Sequence, residues 1–292
     1  MNDKDWTLLA VLAQEKNLTR TAQKLYLTQP AVTRRIQQLE AELGRPILIR
    51  SARGAELSSE GEYLAEYARQ SLARLGELKQ YMDNSGEHVR GQLRIACASA
   101  YACRCLPRLV KSFSALYPAV DIRIVTGNSQ SVYASLISGE VHAAILRGSF
   151  SWPEEILTLR ADPSYYAVSA FPLNLDELPS LPQIQTATDA ALEAEFSLWW
   201  TGRYKKPPRI STVVDRADIC LEMVRQGLGY SLLSGLYIED CPQLYRQKIV
   251  HADGTEMRRV TRAFCRRSSL SIKAVSALWD YLRACAAEEP AE

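Results

Sequence analysis

Apart from a short β-prone stretch at residues 47–58, the chain keeps a helical spacing of apolar positions over its first 83 residues, and then the period changes. In DWTLLAVLAQEK, residues 5–16, Trp6, Leu8, Leu9, Leu12 and Ala13 fall on one stripe, which predicts a first helix ended by Asn17. Residues 19–25 read as a second, short helix with Ala22 and Leu25 on its inner side. Thr28 is the expected N-cap of a third, because its hydroxyl can accept a backbone N–H two or three residues on. Pro30 is harmless in a first turn whose N–H groups have no helical partner. Val32, Ile36, Leu39 and Leu43 then bury one face and leave Gln29, Thr33, Arg34 and Gln37 on the other, until Gly44 and Pro46 stop the helix. ILIRSARGAELS follows, two β-prone runs that predict a small hairpin turning at Arg53-Gly54.

A long helix is expected over residues 59–83, where Leu64, Ala68, Ser71, Leu75, Leu78 and Met82 recur at gaps of four and three. This is a coiled-coil seam, weakest at Ser71, where Leu72 is the better apolar neighbour. The first helix and the hairpin make a domain too small to cover such a length, so the seam is assigned to a second copy of the chain. NSGEHVRGQ, residues 84–92, reads as a linker. Beyond it, LRIACAS, VDIRIVTG, VHAAILRG and YYAVSA predict strands alternating with helices at 104–116 and 130–138, the signature of βαβ units and a parallel sheet. RISTVV, GYSLL and RRVTRAF are later strands, LEMVRQG and SIKAVSALWDYLRAC later helices, and AEEPAE a disordered tail.

At 292 residues, 47% apolar and 23% charged, the chain has the composition of a soluble globular protein with room for two domains. No run approaches the roughly 18 apolar residues of a membrane span. The opening MNDKDWTLLAVLAQEK is acidic where a secretory signal is basic, so a cytoplasmic protein is expected. Seven cysteines, with no CxxC pair and no histidine at ligand spacing, argue against a disulfide framework or a zinc site. Cys103 and Cys105 read as small buried thiols rather than a redox pair.

The net charge of +2 points to no partner, but its distribution does. Residues 16–53 hold eight basic side chains against two acidic ones, and residues 54–90 reverse this with seven acids against four bases. Such a block is either a footprint for a polyanion or a solvated helical face. Two short helices joined at Tyr26-Leu27, the second opening with Thr28, Gln29 and Pro30, form a helix-turn-helix and favour the first reading. Gln29 can pair with an adenine edge and Arg34 with guanine; Thr28, Thr33 and Arg35 can meet phosphate. Arg53 at the hairpin tip can follow the backbone or enter the minor groove.

These residues resemble the LysR-type bacterial transcription regulators. The likeness runs through LTRTAQKLYLTQPAVTRRIQQLEAELGRPILIRSARGAELSSEGEYLAEYA, with QPAVTRRIQQLEAELG its most diagnostic stretch, and extends more loosely through GNSQ at 127–130 and GLGYSLLS at 227–234. Leu48 and Ile49 replace a usual Leu-Phe, Ser58 a usual Thr, and Ser234 stands where proline is common. The resemblance implies an N-terminal winged helix-turn-helix over 1–58, a dimerising helix and hinge over 59–90, and a two-lobed α/β domain of periplasmic-binding-protein type over 91–292. Lobe I would take 91–161 and 266–292 and lobe II 162–265, with crossing strands near 161–168 and 260–266.

The partners so implied are double-stranded promoter DNA, a small-molecule effector and a homodimer or homotetramer, with no cofactor and no membrane. By the same resemblance Ser99, Ala100, Tyr101, Gly127–Gln130, Arg147 and Asp215–Ala217, among them Ser129, Gln130 and Ala217, would line an effector cleft. Ser99 and Ser129 stand where helices start, which suits either an anionic ligand or ordinary N-capping. Arg147 would add positive charge, and Asp215 would subtract it unless it pairs with Arg216 or with an amine on the ligand.

An enzyme is the rival from another class, since a two-lobed α/β domain can host catalysis. The three histidines, His88, His142 and His251, are scattered, however, and neither GxSxG nor GxGxxG is present. A purely architectural DNA-binding protein is the other alternative; the reading adopted is a regulator without catalysis.

Overall fold

A computed structural model of the chain describes all residues except 52–53, 84–87, 162–163 and 289–292. Arg53, part of the linker and the last four residues of the expected tail therefore lie outside the described residues. The chain divides into two compact units, one of Met1–Glu87 with Ser135–Val141 and one of His88–Ala134 with His142–Glu292.

The first unit runs α1 (Asp3–Glu15), α2 (Leu18–Lys24), α3 (Gln29–Leu43), β1 (Leu48–Ser51), β2 (Gly54–Leu57) and α4 (Ser59–Asp83), with β1 and β2 an antiparallel hairpin. Polar side chains set the helix starts. Asn2 and Asp5 form a reciprocal capping box on α1. Asn17 does not end α1 as expected; Lys16 closes it in the left-handed region (φ 49°), and Asn17 accepts the Arg20 N–H at 3.0 Å to open α2. Thr28 caps α3 through the Ala31 N–H (3.4 Å), and Gly44 at φ 67° ends it, as predicted.

Leu8, Leu9, Leu12, Ala22, Val32, Ile36, Leu39 and Ile47 make this unit's core, and α4 packs along α1 to complete it. That corrects one seam residue: Ala68 is fully buried in the chain's own core, with Ala65 beside it and Leu64 partly covered. Small side chains at 65 and 68 let α4 lie close to α1, so its first half is covered within the unit. Leu78 and Met82, in its second half, stay exposed, and Leu75 is half-buried.

Arg35 is a second correction. Rather than turning toward a phosphate, its guanidinium grips the buried Asp5 carboxylate with both arms (Nε to Oδ1 2.6 Å, Nη2 to Oδ2 2.7 Å) and donates to Gln38 at 3.0 Å, tying α3 to α1. The Arg35 hydrogen bonds outweigh burial and hold the Asp5 carboxyl below its ordinary range. A depressed carboxylate stabilises the fold at pH values above its unfolded pKa and loses that contribution as pH falls through the folded value. Urea midpoints measured from pH 7 down to pH 3 should therefore fall more steeply below about pH 4 for the native chain than for Asp5→Asn. At pH 7 the variant should be less stable by roughly 1–3 kcal/mol.

Gly61 fixes the wing against α4. Ser58, which caps α4 by accepting the Gly61 N–H at 2.9 Å, donates to the Pro46 carbonyl at 2.6 Å, and a β-carbon at 61 would sit 2.2 Å from the Ile47 carbonyl oxygen. Gly61→Ala is expected to lower stability by roughly 1–3 kcal/mol in denaturant unfolding, since backbone must move to admit the methyl group.

The second unit runs β3 (Gly91–Ala98), α5 (Ser99–Arg104), α6 (Leu106–Leu116), β4 (Val120–Gly127), α7 (Ser129–Ile137), β5 (Ala143–Arg147), β6 (Glu155–Ala161), β7 (Tyr165–Ser169), β8 (Pro182–Thr186), α8 (Ala190–Arg203), β9 (Arg209–Val214), α9 (Ala217–Arg225), β10 (Ser231–Ser234), α10 (Gly235–Ile238), β11 (Tyr245–Lys248), β12 (Val260–Cys265) and α11 (Lys273–Glu288). One lobe is the sheet β4-β3-β5-β12-β6, parallel among β4, β3 and β5 and antiparallel at β12. The other has β10-β7-β11, joined through a Gln183–Tyr230 bridge to the parallel pair β8-β9.

Thus β12 lies wholly in the first sheet, moving the expected lobe boundary at 265 back to about 260. Strands β6, β8 and β11 and helix α8 were not anticipated. Apolar clusters on either side, around Ile95, Phe113, Ile145 and Trp279 in one lobe and Trp199, Trp200 and Tyr230 in the other, hold the sheets rigid.

Candidate functional site

Two surfaces carry the chemistry. On α3 the first turn is open: Thr28, Gln29, Pro30 and Arg34 are exposed, and Thr33 is half-buried. Gln29 Nε2 donates to Thr33 Oγ1 at 3.1 Å, which holds its amide along the helix. Tyr26, almost fully exposed at φ 56°, makes the turn before α3.

The cleft lies at the carboxyl ends of the parallel strands, where α/β sheets hold ligands. The in-register pairing of β3 with β4, ending at Ala98 opposite Gly127, brings Ser99 and Asn128 side by side, with Arg147 ending β5 next to them. From the facing lobe, Thr186 ending β8 pairs with Val214 ending β9, which presents Asp189, Asp215 and Ala217. A cavity of about 150 Å³ opens between them.

Arg147 lines it, together with Arg216 and Arg259. It is 5% exposed, Nη2 donates to Ser234 Oγ of the opposite lobe at 2.9 Å, and the guanidinium lies 5.9 Å from the Tyr165 ring centroid. Its backbone N–H donates to the buried Ser129 hydroxyl at 3.3 Å. Arg259 pairs with Asp189 through both arms (2.7 and 3.2 Å) while its guanidinium covers Gly148, where a β-carbon would meet it at 2.1 Å. Burial pushes the Asp189 carboxyl up, but Arg259 and the Leu192 N–H more than offset this and keep it ionised. Arg104 donates to the Leu236 and Tyr237 carbonyls and to Asp240, clasping α10 from the first lobe.

The comparisons with known proteins bear on both surfaces. Residues 4–62 match the model of the bacterial regulatory helix-turn-helix protein, lysR family, and residues 86–287 match the LysR substrate binding domain. The chain belongs to the LysR family. It is 36% identical over 285 residues to the uncharacterised HTH-type transcriptional regulator YraN of Bacillus subtilis, covering 97% of this chain and 98% of that one. To the HTH-type transcriptional regulator IlvY of Escherichia coli it is 26% identical over 260 residues, covering 86% and 87%. The crystal structure of CbnR, a LysR family transcriptional regulator, shares its fold with a TM-score of 0.70 at 21% identity, covering 98% and 99%. The chain is thus a DNA-binding transcription regulator with an effector-binding domain, built as a winged helix-turn-helix followed by a two-lobed α/β domain.

Within this regulator Ser99, Ala100, Ser129, Arg147, Asp215 and Ala217 all line the cavity, whereas Tyr101 and Gln130 do not. Tyr101 turns under α5 into the apolar core of its lobe, and Gln130 points outward from α7. Neither serine caps its helix. Asn128 accepts the Ser131 N–H (2.8 Å) at the start of α7, and Ser99 donates to the Gly127 carbonyl at 3.0 Å. Arg216 pairs with Asp218 (3.0 and 2.5 Å) rather than Asp215.

Sequence reasoning missed Ser234, Arg259 and Asp189. The departure from proline at 234 was a usable signal, because a hydroxyl there, unlike a proline ring, can accept from Arg147 while also capping α10 through the Leu236 N–H (3.4 Å). Cys103, expected to be buried, is exposed, and all seven cysteines are free thiols. Among the described residues no three His, Cys, Asp or Glu side chains gather as metal ligands, and no helix is long and apolar enough to cross a membrane.

Proposed function

We propose that this regulator acts in the cytoplasm on promoter DNA, without catalysis or cofactor, under the control of a small anionic metabolite held between the lobes. The observation that carries the reading is Arg147, buried at the convergence of strand ends from both lobes, its guanidinium on the Ser234 hydroxyl and its backbone N–H on that of Ser129. A ligand carboxylate or phosphate there would touch both lobes, so its affinity would differ between their arrangements, as any ligand that shifts an equilibrium requires. Exposed Gln29 and Arg34 support base reading from α3, and CbnR has been crystallised with its target DNA. The exposed Leu78, Tyr81 and Met82 of α4 support pairing of two copies along that helix, with Leu75 beneath them.

A thermal-shift screen of small carboxylates, phosphates and sulfates tests the proposal. A ligand at 100 times its Kd should stabilise the protein by about 2.7 kcal/mol. Gel shifts that are indifferent to sequence and vanish as salt rises, with no stabilising anion, would favour the architectural alternative.

A further inference from the structure

We propose that a second cavity, between α8 and the strands β8 and β10, is a small-molecule site of its own, taking an uncharged, mainly aromatic or aliphatic compound with one hydrogen-bonding group. The site stands whether or not the interlobe cleft takes an anion.

Its volume is about 350 Å³, more than twice that of the cleft. A cavity of roughly 150 Å³ already holds a single benzene ring, so this one is ample for a ring with substituents. Phe196, Trp200 and Tyr204 wall it on the helical side, with Ile184 and Leu232 on the sheet. The aromatic wall is pinned: Trp200 Nε1 donates to the Lys206 carbonyl (2.7 Å), Tyr204 Oη to the Leu175 carbonyl (2.5 Å), and the two rings stand 4.4 Å apart. The cavity is therefore held open, and a ligand entering it pays little for ordering the wall.

The second observation is the Thr186 hydroxyl. Its buried oxygen, on a residue that lines this cavity, makes no well-formed hydrogen bond among the described residues; the neighbouring Cys220 thiol donates to Ser231 Oγ at 3.1 Å and engages Thr186 only loosely. A buried unpaired hydroxyl is costly, and a ligand group that meets it recovers that cost. The charges lining the cavity, Glu193, Lys205 and Lys206, are all exposed and solvated, which is why a neutral ligand fits best. Thr186 and Phe196 also line the interlobe cleft, so an occupant here would share a wall with whatever binds there.

Fluorine NMR of para-fluorophenol titrated into the full chain tests this, the phenol being neutral at pH 7 because its pKa is about 10. Saturable binding is expected. Ser197→Phe and Thr201→Phe, at exposed α8 positions around the mouth, should each reduce it to background, and Thr186→Val should weaken it about fivefold, the usual worth of one hydrogen bond. Circular dichroism checks that the variants are folded. No saturable shift with the native chain, or native affinity in both mouth variants, would overturn the proposal.

Discussion

Arg147→Met should weaken the effector found by the anion screen by roughly 2–5 kcal/mol, the usual cost of removing one partner from a buried charged contact. Calorimetry reads this directly. Met keeps the length and apolar stem of Arg but offers the anion no donor, and it leaves the Ser234 hydroxyl without the guanidinium that now binds it at 2.9 Å. Arg147→Lys should fall between the two, since an ammonium keeps the charge but loses the planar fork. DNA binding without ligand should change little in either variant, because α3 lies in the first unit. Unchanged ligand affinity in Arg147→Met would place the effector elsewhere.

How far the sequence shows this site depends on whether local or distant residues build it. Thr28, Pro30 and Gly44 specify α3 locally, by capping and backbone geometry, and all are found where the pattern put them. Arg34 and Arg35 look alike in sequence, yet only the distant Asp5 makes Arg35 a structural pillar. The same holds for Arg259, whose partner Asp189 is 70 residues away. Helix α8 was legible in principle, since Leu192, Phe196, Trp199 and Trp200 stand at i, i+4, i+7 and i+8 on one face, with only the exposed Leu198 off the stripe. Ala68 misled for a different reason: spacing of four and three marks any buried helical face, whether its partner is a second copy or the chain's own α1.

The second large effect is expected at Arg34. Arg34→Ala should cost roughly 1–3 kcal/mol per lost base contact and relax base preference at one position of each half-site, measured by gel shifts across single-base variants of the cognate promoter. Gln29→Ala should relax a different position, because its amide is held toward Thr33 one turn away from Arg34's neighbours. Arg35→Ala should instead lower the stability of the first unit, and its loss of DNA binding should follow unfolding rather than a change of preference. Uniform loss across all base variants for Arg34→Ala would make it a phosphate contact instead.

One small molecule, held by Arg147 between the lobes, is proposed to change how α3 meets DNA. Footprinting of the cognate promoter by the native chain and by Arg147→Met, each with and without the screened effector, tests it most directly. The effector is expected to alter the length or the hypersensitive positions of the native footprint and to leave the Arg147→Met footprint unchanged at the same concentration. A native footprint identical with and without saturating effector would contradict it.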